Sequence, residues 1–157
     1  MIKYVVNAYK SGINCIFDIY GSGSEYNLLN NLILQNNASH YISLKGSTQD
    51  IISCLDNYNV FLFNSAPLEG MGISLAEAMC RGLICVVNDT KLMHEMLGDK
   101  GYYFSSGNEF CKQMSNIYSM KKEQLKQISE EIRNLSIEKF SPEIWANKYI
   151  NLLEQNE

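Results

Sequence analysis

FLFNSAPLEGMGISLAEAMCRGLICVV, residues 61–87, decides the fold. Its first apolar run, 60–63, is continuous rather than alternating, as in a strand buried on both faces of a parallel sheet. A polar loop with Gly70 and Gly72 follows. The apolar spacing then predicts a helix over 73–81, closed by Gly82, and a second buried strand over 83–87. Ligands of open parallel sheets bind beyond the carboxyl ends of the strands, which is where this loop falls. Gly70 and Gly72 let the backbone approach a ligand without a Cβ in the way. The amides of Met71, Gly72, Ile73 and Ser74 are expected at the helix N-terminus, where unpaired donors and the helix dipole suit a phosphate. Glu69 in the loop and Glu77 in the first two turns of the helix flank that arrangement. A carboxylate accepting two hydrogen bonds is a good reader of paired sugar hydroxyls.

Outward from this segment, strand and helix patterns alternate. A strand is expected over 14–20 (NCIFDIY). A helix follows over 24–36, with Leu28, Leu29, Leu32 and Ile33 on one face, then a short strand over 41–44. A short helix over 48–55 has Thr48 or Ser47 as its N-cap. A helix over 92–97 and a strand over 102–104 come next, and helices over 108–120 and 121–139 end the sheet pattern. The last helix opens at Ser141-Pro142-Glu143, a capping residue, a first-turn proline and a dipole-matched acid. Its apolar face is Trp145, Tyr149, Leu152 and Leu153. About five strand–helix alternations predict an α/β, Rossmann-like, doubly wound parallel sheet with helices on both faces. Residues 1–9 (MIKYVVNAY) read as a helix, because Ile2, Val5, Val6 and Tyr9 share a face. The domain is therefore expected to lack its first strand.

The bulk numbers bound the class. A chain of 157 residues, 46% apolar and 19% charged, suits one globular domain with a real core. A net charge of −4 without a Lys/Arg block argues against a nucleic-acid surface. Cys15, Cys54, Cys80, Cys85 and Cys111 form no CxxC pair and read as buried free thiols of a reducing compartment. There is no cleavable leader pattern, and no apolar stretch approaches the ~20 residues a membrane span needs. No DxD triplet and no His/Cys/Asp cluster has metal-ligand spacing, so neither a metal nor a cofactor is expected.

Residues 69–87 resemble the E-x7-E segment (EGxGxxxxEAMAxGxPVV) of the family 4 glycosyltransferases of GT-B fold. The resemblance extends over nearly the whole chain. IFDIYGSG at 16–23 is similar to the family's strand and glycine turn, and ISLKGSTQD at 42–50 to the strand and turn beside the nucleobase. Residues 140–153 are similar to the terminal helix that crosses back to the N-terminal domain. The resemblance implies the donor-binding, C-terminal domain (1–157, crossover helix 141–157) of a retaining hexosyltransferase in glycan or polysaccharide biosynthesis. Its partners would be a nucleotide-diphosphate sugar and an N-terminal acceptor domain supplied in cis or in trans. That missing half would hold the enzyme peripherally at the inner, cytoplasmic face of a membrane. Glu69 would carry the catalytic role by bonding hydroxyls of the transferred sugar. The amides of Gly70, Met71 and Gly72 would hold the sugar and distal phosphate, and those of Ile73, Ser74 or Leu75 would touch the diphosphate. Glu77 would bind the ribose, Thr48 the base, and Gly21 and Gly23 would wall the cleft. No metal is implied.

This sequence departs from the family pattern at two places. The Arg and Lys that follow the family's first strand are absent, with Lys10 and Lys45 as unsupported substitutes. Lys91-Leu92-Met93 replaces a Gly-rich turn before His94-Glu95. Gly21-Ser22-Gly23 lacks the third glycine of a dinucleotide fingerprint, Tyr26 standing in its place, so a plain tight turn competes with a cleft wall. His94 reads as a helix-surface residue and His40 as structural. The isolated domain is expected to bind nucleotide weakly and to turn over poorly or not at all. The competing reading is a non-catalytic ligand-binding or partner-subunit module of the same build, which an exposed apolar face on the last helix would favour.

Overall fold

A computed structural model of the chain describes residues 1–64 and 72–154. The elements run α1 (Ile2–Lys10), β1 (Phe17–Tyr20), α2 (Tyr26–Gln35), β2 (Ile42–Gly46), α3 (Ile51–Leu55), β3 (Val60–Phe63), α4 (Ile73–Cys80), β4 (Ile84–Asn88), α5 (Lys91–Leu97), β5 (Tyr102–Phe104), α6 (Gly107–Tyr118), α7 (Lys122–Phe140) and α8 (Pro142–Glu154). Every paired strand is parallel. The strands form two ladders, β1–β2 and β3–β4–β5. Phe17 lies opposite Ile42 in the first, and Val60 opposite Ile84 in the second. Between β1 and β3 there is no ladder, which leaves a break in the middle of the sheet.

Helices cover both faces, and β4 shows why. Alternate side chains of a strand point to opposite faces. Ile84 and Val86 join α1, α2 and α6 in a core with Val5, Ile33, Ile42, Phe104 and Phe110. Cys85 and Val87 point the other way, into a core with Leu75 and Met79 of α4, Met93 and Leu97 of α5, and Ile132 of α7. Burial on both sides is what the unbroken apolar run at 84–87 requires. It also pushes the Cys85 thiol up to about 12, so this cysteine is a small hydrophobe and not a nucleophile.

The crossing of α4 and α7 depends on Gly82. Its φ is +74°, and a Cβ there would stand 2.6 Å from Ser129 Oγ and 2.9 Å from the Ser129 carbonyl oxygen. A side chain would meet both left-handed strain and a backbone atom that cannot rotate away. Gly82→Ala is expected to lower unfolding stability by roughly 2 kcal/mol or more, read from urea denaturation. A loss under ~0.5 kcal/mol would show that α7 yields freely.

Several local expectations shift. β1 begins at Phe17 rather than at residue 14, because β2 offers no partner before Ile42, and Ile16 is left 75% exposed. The N-cap of α3 is Asp50, whose Oδ1 accepts from the Ser53 amide at 3.1 Å, and not Thr48 or Ser47. Thr48 Oγ1 instead accepts from the Asp50 amide at 3.2 Å, one step ahead of the helix. In α2 the inward stripe is Leu29, Leu32 and Ile33, while Leu28 faces solvent. Cys80 is exposed, against the expectation of buried thiols, because it sits in the last turn of α4 opposite the core face of Leu75, Ala78 and Met79. As expected, α1 is a helix with Ile2, Val5 and Val6 inward, and Ser141 Oγ caps α8 by accepting from the Ile144 amide at 3.3 Å. α8 rests on α7, with Trp145, Tyr149, Leu152 and Leu153 all exposed. No helix among the described residues is long and apolar enough to cross a membrane.

Candidate functional site

A cleft between β1 and β3 is bordered by the start of α4. Gly72 caps it in the left-handed region, with φ 63° and ψ 54°. A Cβ at Gly72 would make only ordinary contacts, Met96 Sδ at 3.6 Å and Phe63 Cζ at 3.7 Å. Backbone conformation rather than space therefore selects glycine here. The Gly72 carbonyl accepts from the Leu75 and Ala76 amides at 2.9 and 3.1 Å, which starts the helix ladder. The amides of Ile73 and Ser74 have no acceptor among the described residues. They are the orphan donors that every helix start leaves, aligned with the positive end of its dipole.

On α4, Leu75, Ala78 and Met79 face the core. Ser74 and Glu77, three residues apart, share the other face. Both line a cavity of about 280 Å³ with Tyr20, Tyr58, Leu62 and Ile51. The structure thus joins Gly72, Ile73, Ser74 and Glu77 at one helix end and turns the last two toward the strand ends. Gly21 and Gly23 lie at the exit of β1, exposed, with open space where a Cβ would be. The Gly21 amide donates to the Gly46 carbonyl at 2.8 Å, which ties the β1 turn to β2. Neither glycine nor Thr48 is among the residues lining this cavity. Glu69, Gly70 and Met71, along with the rest of 65–71, lie outside the described residues.

Sequence reading missed a polar network beside this cleft. Asp18, in the middle of β1, accepts a hydrogen bond from the Tyr58 hydroxyl at 2.6 Å and pairs with Lys45 at 3.4 Å. The Tyr58 and Tyr20 hydroxyls are 3.0 Å apart. Burial and the Asp18 carboxylate drive the Tyr58 phenol well above its ordinary range, so it acts as a neutral donor. Lys45 is therefore an ion-pair partner of Asp18, which weakens it as a stand-in for the diphosphate cations. Lys10 is exposed in the last turn of α1. His94 is a surface residue, 2.8 Å from Asp89 and stacked on Tyr103 with ring centroids 3.8 Å apart. His40 packs edge-on against Tyr9 and Tyr41, at 5.6 and 4.8 Å. Among the described residues, no group of three or more His, Cys, Asp or Glu could hold a metal ion.

Parallel strands covered by helices on both faces, with a glycine-capped helix at the strand ends, make a Rossmann-like half-domain. The profile of the group 1 glycosyl transferases matches residues 1–152, and the chain belongs to that family. It is similar to the GtfA subunit of the UDP-N-acetylglucosamine–peptide N-acetylglucosaminyltransferase of Streptococcus pneumoniae serotype 4. Identity is 34% over 125 residues, 77% of this chain and 24% of that protein. The GtfA subunit of Limosilactobacillus reuteri subsp. suis is 40% identical over 83 residues, 53% of this chain and 16% of that protein. Among solved structures, pneumococcal GtfA in complex with UDP and GlcNAc superposes with a TM-score of 0.79 at 26% identity, over 98% of this chain and 32% of that one. TarM does so with a TM-score of 0.83 at 25% identity, over 96% and 31%. The chain thus spans about a quarter or less of the length of these curated relatives. It corresponds to their C-terminal, GT-B half-domain.

Proposed function

We propose that this domain holds the donor of a retaining glycosyltransferase, with UDP-N-acetylglucosamine as the nucleotide sugar and a glycan, polypeptide or lipid-linked chain as the acceptor. The observation that carries the reading is the α4 terminus, where the amides of Ile73 and Ser74 have no acceptor among the described residues and Ser74 lines one cleft with Glu77, a helical turn further on. Unpaired amides at a helix start bind phosphate oxygens, and a half-buried carboxylate one turn on is placed to accept from two ribose hydroxyls. The donor assignment follows the UDP-N-acetylglucosamine of the GtfA relatives.

In this reading the diphosphate leaves toward α4. The helix amides, together with cations from outside this chain, take up its developing charge. Glu69 and the amides of Gly70 and Met71 orient the sugar. The acceptor hydroxyl attacks from the face the phosphate leaves, the departing phosphate takes its proton, and configuration is retained. The nucleobase lies near Thr48, and Gly21 and Gly23 allow close backbone approach. No metal takes part, and the complete enzyme works at the cytoplasmic side of a membrane.

The acceptor site lies on another half, so the domain alone binds but does not transfer. Incubated with radiolabelled UDP-N-acetylglucosamine and a panel of acceptors, it should give no transfer above background. Turnover on the order of 1 s⁻¹ by this chain alone would defeat the reading. The solved GtfA/B complex is an assembly of two proteins around a similar domain, and the exposed apolar side chains of α8 favour a partner here as well.

A further inference from the structure

The hydrogen bonds that link Lys45, Asp18, Tyr58 and Tyr20 have a direction. Along β1, Phe17 and Ile19 pack into the core with α1 and α2, so alternation turns Asp18 and Tyr20 toward α3 and α4. Asp18 Oδ2 takes a bond from the Tyr58 hydroxyl at 2.6 Å and an ion pair from Lys45 at 3.4 Å. A carboxylate only accepts. Burial and Asp18 both hold the Tyr58 phenol un-ionised, and its single proton goes to Asp18. In the 3.0 Å contact between the two phenols, Tyr58 is therefore the acceptor and Tyr20 the donor. That engages the single Tyr20 proton as well. The Tyr20 oxygen is left with lone pairs and no proton to offer, and each bond along the chain from Lys45 strengthens it as an acceptor. Tyr20 lines the 280 Å³ cleft with Ser74 and Glu77. Its neighbour Gly21 is tied to Gly46, which sets Tyr20 close to the turn at 47–48.

We propose that Tyr20 selects the base of the bound nucleotide, by accepting a ring N–H that uracil presents and cytosine lacks. This rests on the donor reading above. There Glu77 takes both ribose hydroxyls, so a further acceptor in the same cleft meets a donor of the base. The pairing edge of uracil carries one donor, N3–H, between two carbonyls. Cytosine carries a lone pair at N3, and against Tyr20 it sets acceptor on acceptor. Tyr20 relieves that clash only by turning its proton away from Tyr58, which leaves a half-buried phenol oxygen without its donor. A site wired for one proton polarity rejects the opposite polarity by the cost of the groups left unpaired. Tyr58, Asp18 and Lys45 do not touch the base in this arrangement. They are positioning residues that fix which way the Tyr20 proton points.

Calorimetric titration with UDP and CDP tests this. The chain should bind UDP about tenfold more tightly than CDP. Tyr20→Phe keeps the ring and removes the oxygen. It should weaken UDP by about threefold to tenfold and leave CDP unweakened, so the preference collapses. Tyr58→Phe is a second variant that leaves the Tyr20 oxygen in place. It frees the Tyr20 proton to turn toward the ligand and should shrink the same ratio by improving CDP. Equal losses of both nucleotides would overturn the proposal by making Tyr20 a structural residue. So would a chain without preference between UDP and CDP, or a ratio unchanged in either variant. The relay also has a readout without nucleotide. In the free chain at low temperature, nuclear magnetic resonance should find the Tyr58 hydroxyl proton in slow exchange and close to the Asp18 methylene protons. A Tyr58 proton directed at Tyr20, or exchanging rapidly with solvent, would overturn the relay whatever the ligands do. That proton in place in a chain that binds neither nucleotide would remove the donor reading, and with it the base-selecting role of Tyr20.

Discussion

Phe110→Ala should lower unfolding stability by about 3–5 kcal/mol. Phe110 is fully buried on α6. Its ring meets Phe104 of β5 edge-on at 5.3 Å and lies 5.7 Å from that of Tyr4 on α1. The three rings pin α1 and α6 to the second ladder. Truncation removes the largest fully buried side chain and leaves a cavity that two helices and a strand cannot collapse into together. Domains carry a margin of only about 5–15 kcal/mol, and a sheet broken at its centre has no reserve to spare. A urea midpoint falling by a molar or more at unchanged m-value is the expected reading. A loss below ~1 kcal/mol would mean that α6 is not a structural element of this core.

Glu77→Gln should weaken UDP binding by about tenfold or more while leaving stability within ~0.5 kcal/mol. The Glu77 carboxylate has no ion-pair or hydrogen-bond partner among the described residues, and the residue is half-buried on the cleft side of α4. Little in the free protein depends on it, so its charge is available to a ligand. An amide keeps the shape but accepts through only one oxygen, and ribose offers two donors. Isothermal titration of both proteins separates the cases. Equal affinities would remove Glu77 from the site, and a parallel collapse in melting temperature would give it a structural role instead.

The segment that mattered most was also the most legible. Residues 60–63 and 84–87 are continuous apolar runs, and the Gly72 and Gly82 boundaries of the helix between them follow from backbone chemistry that no other residue satisfies as well. Periodicity likewise placed α1 as a helix and so anticipated that a strand is absent from the sheet. The Asp18, Tyr20, Lys45 and Tyr58 network was not legible. Its members come from β1, β2 and the turn before β3, and only the sheet brings them together. The one local signal was an aspartate inside the apolar FDIY, which alternation alone reads as a solvent-facing position. Asp50 was missed as a cap because Ser47, Thr48 and Asp50 are all good N-caps, and pattern does not choose among them. Leu28 fell on the wrong side of α2 because a stripe of four leucine and isoleucine residues is wider than the contact it makes.

The central claim is that a nucleoside diphosphate is gripped where α4 begins. Titrating UDP into the isotopically labelled chain and following amide shifts tests it directly. The account predicts saturable shifts concentrated at Gly72, Ile73, Ser74 and Glu77. Saturation with those four amides unmoved, or no binding at millimolar UDP, would contradict it.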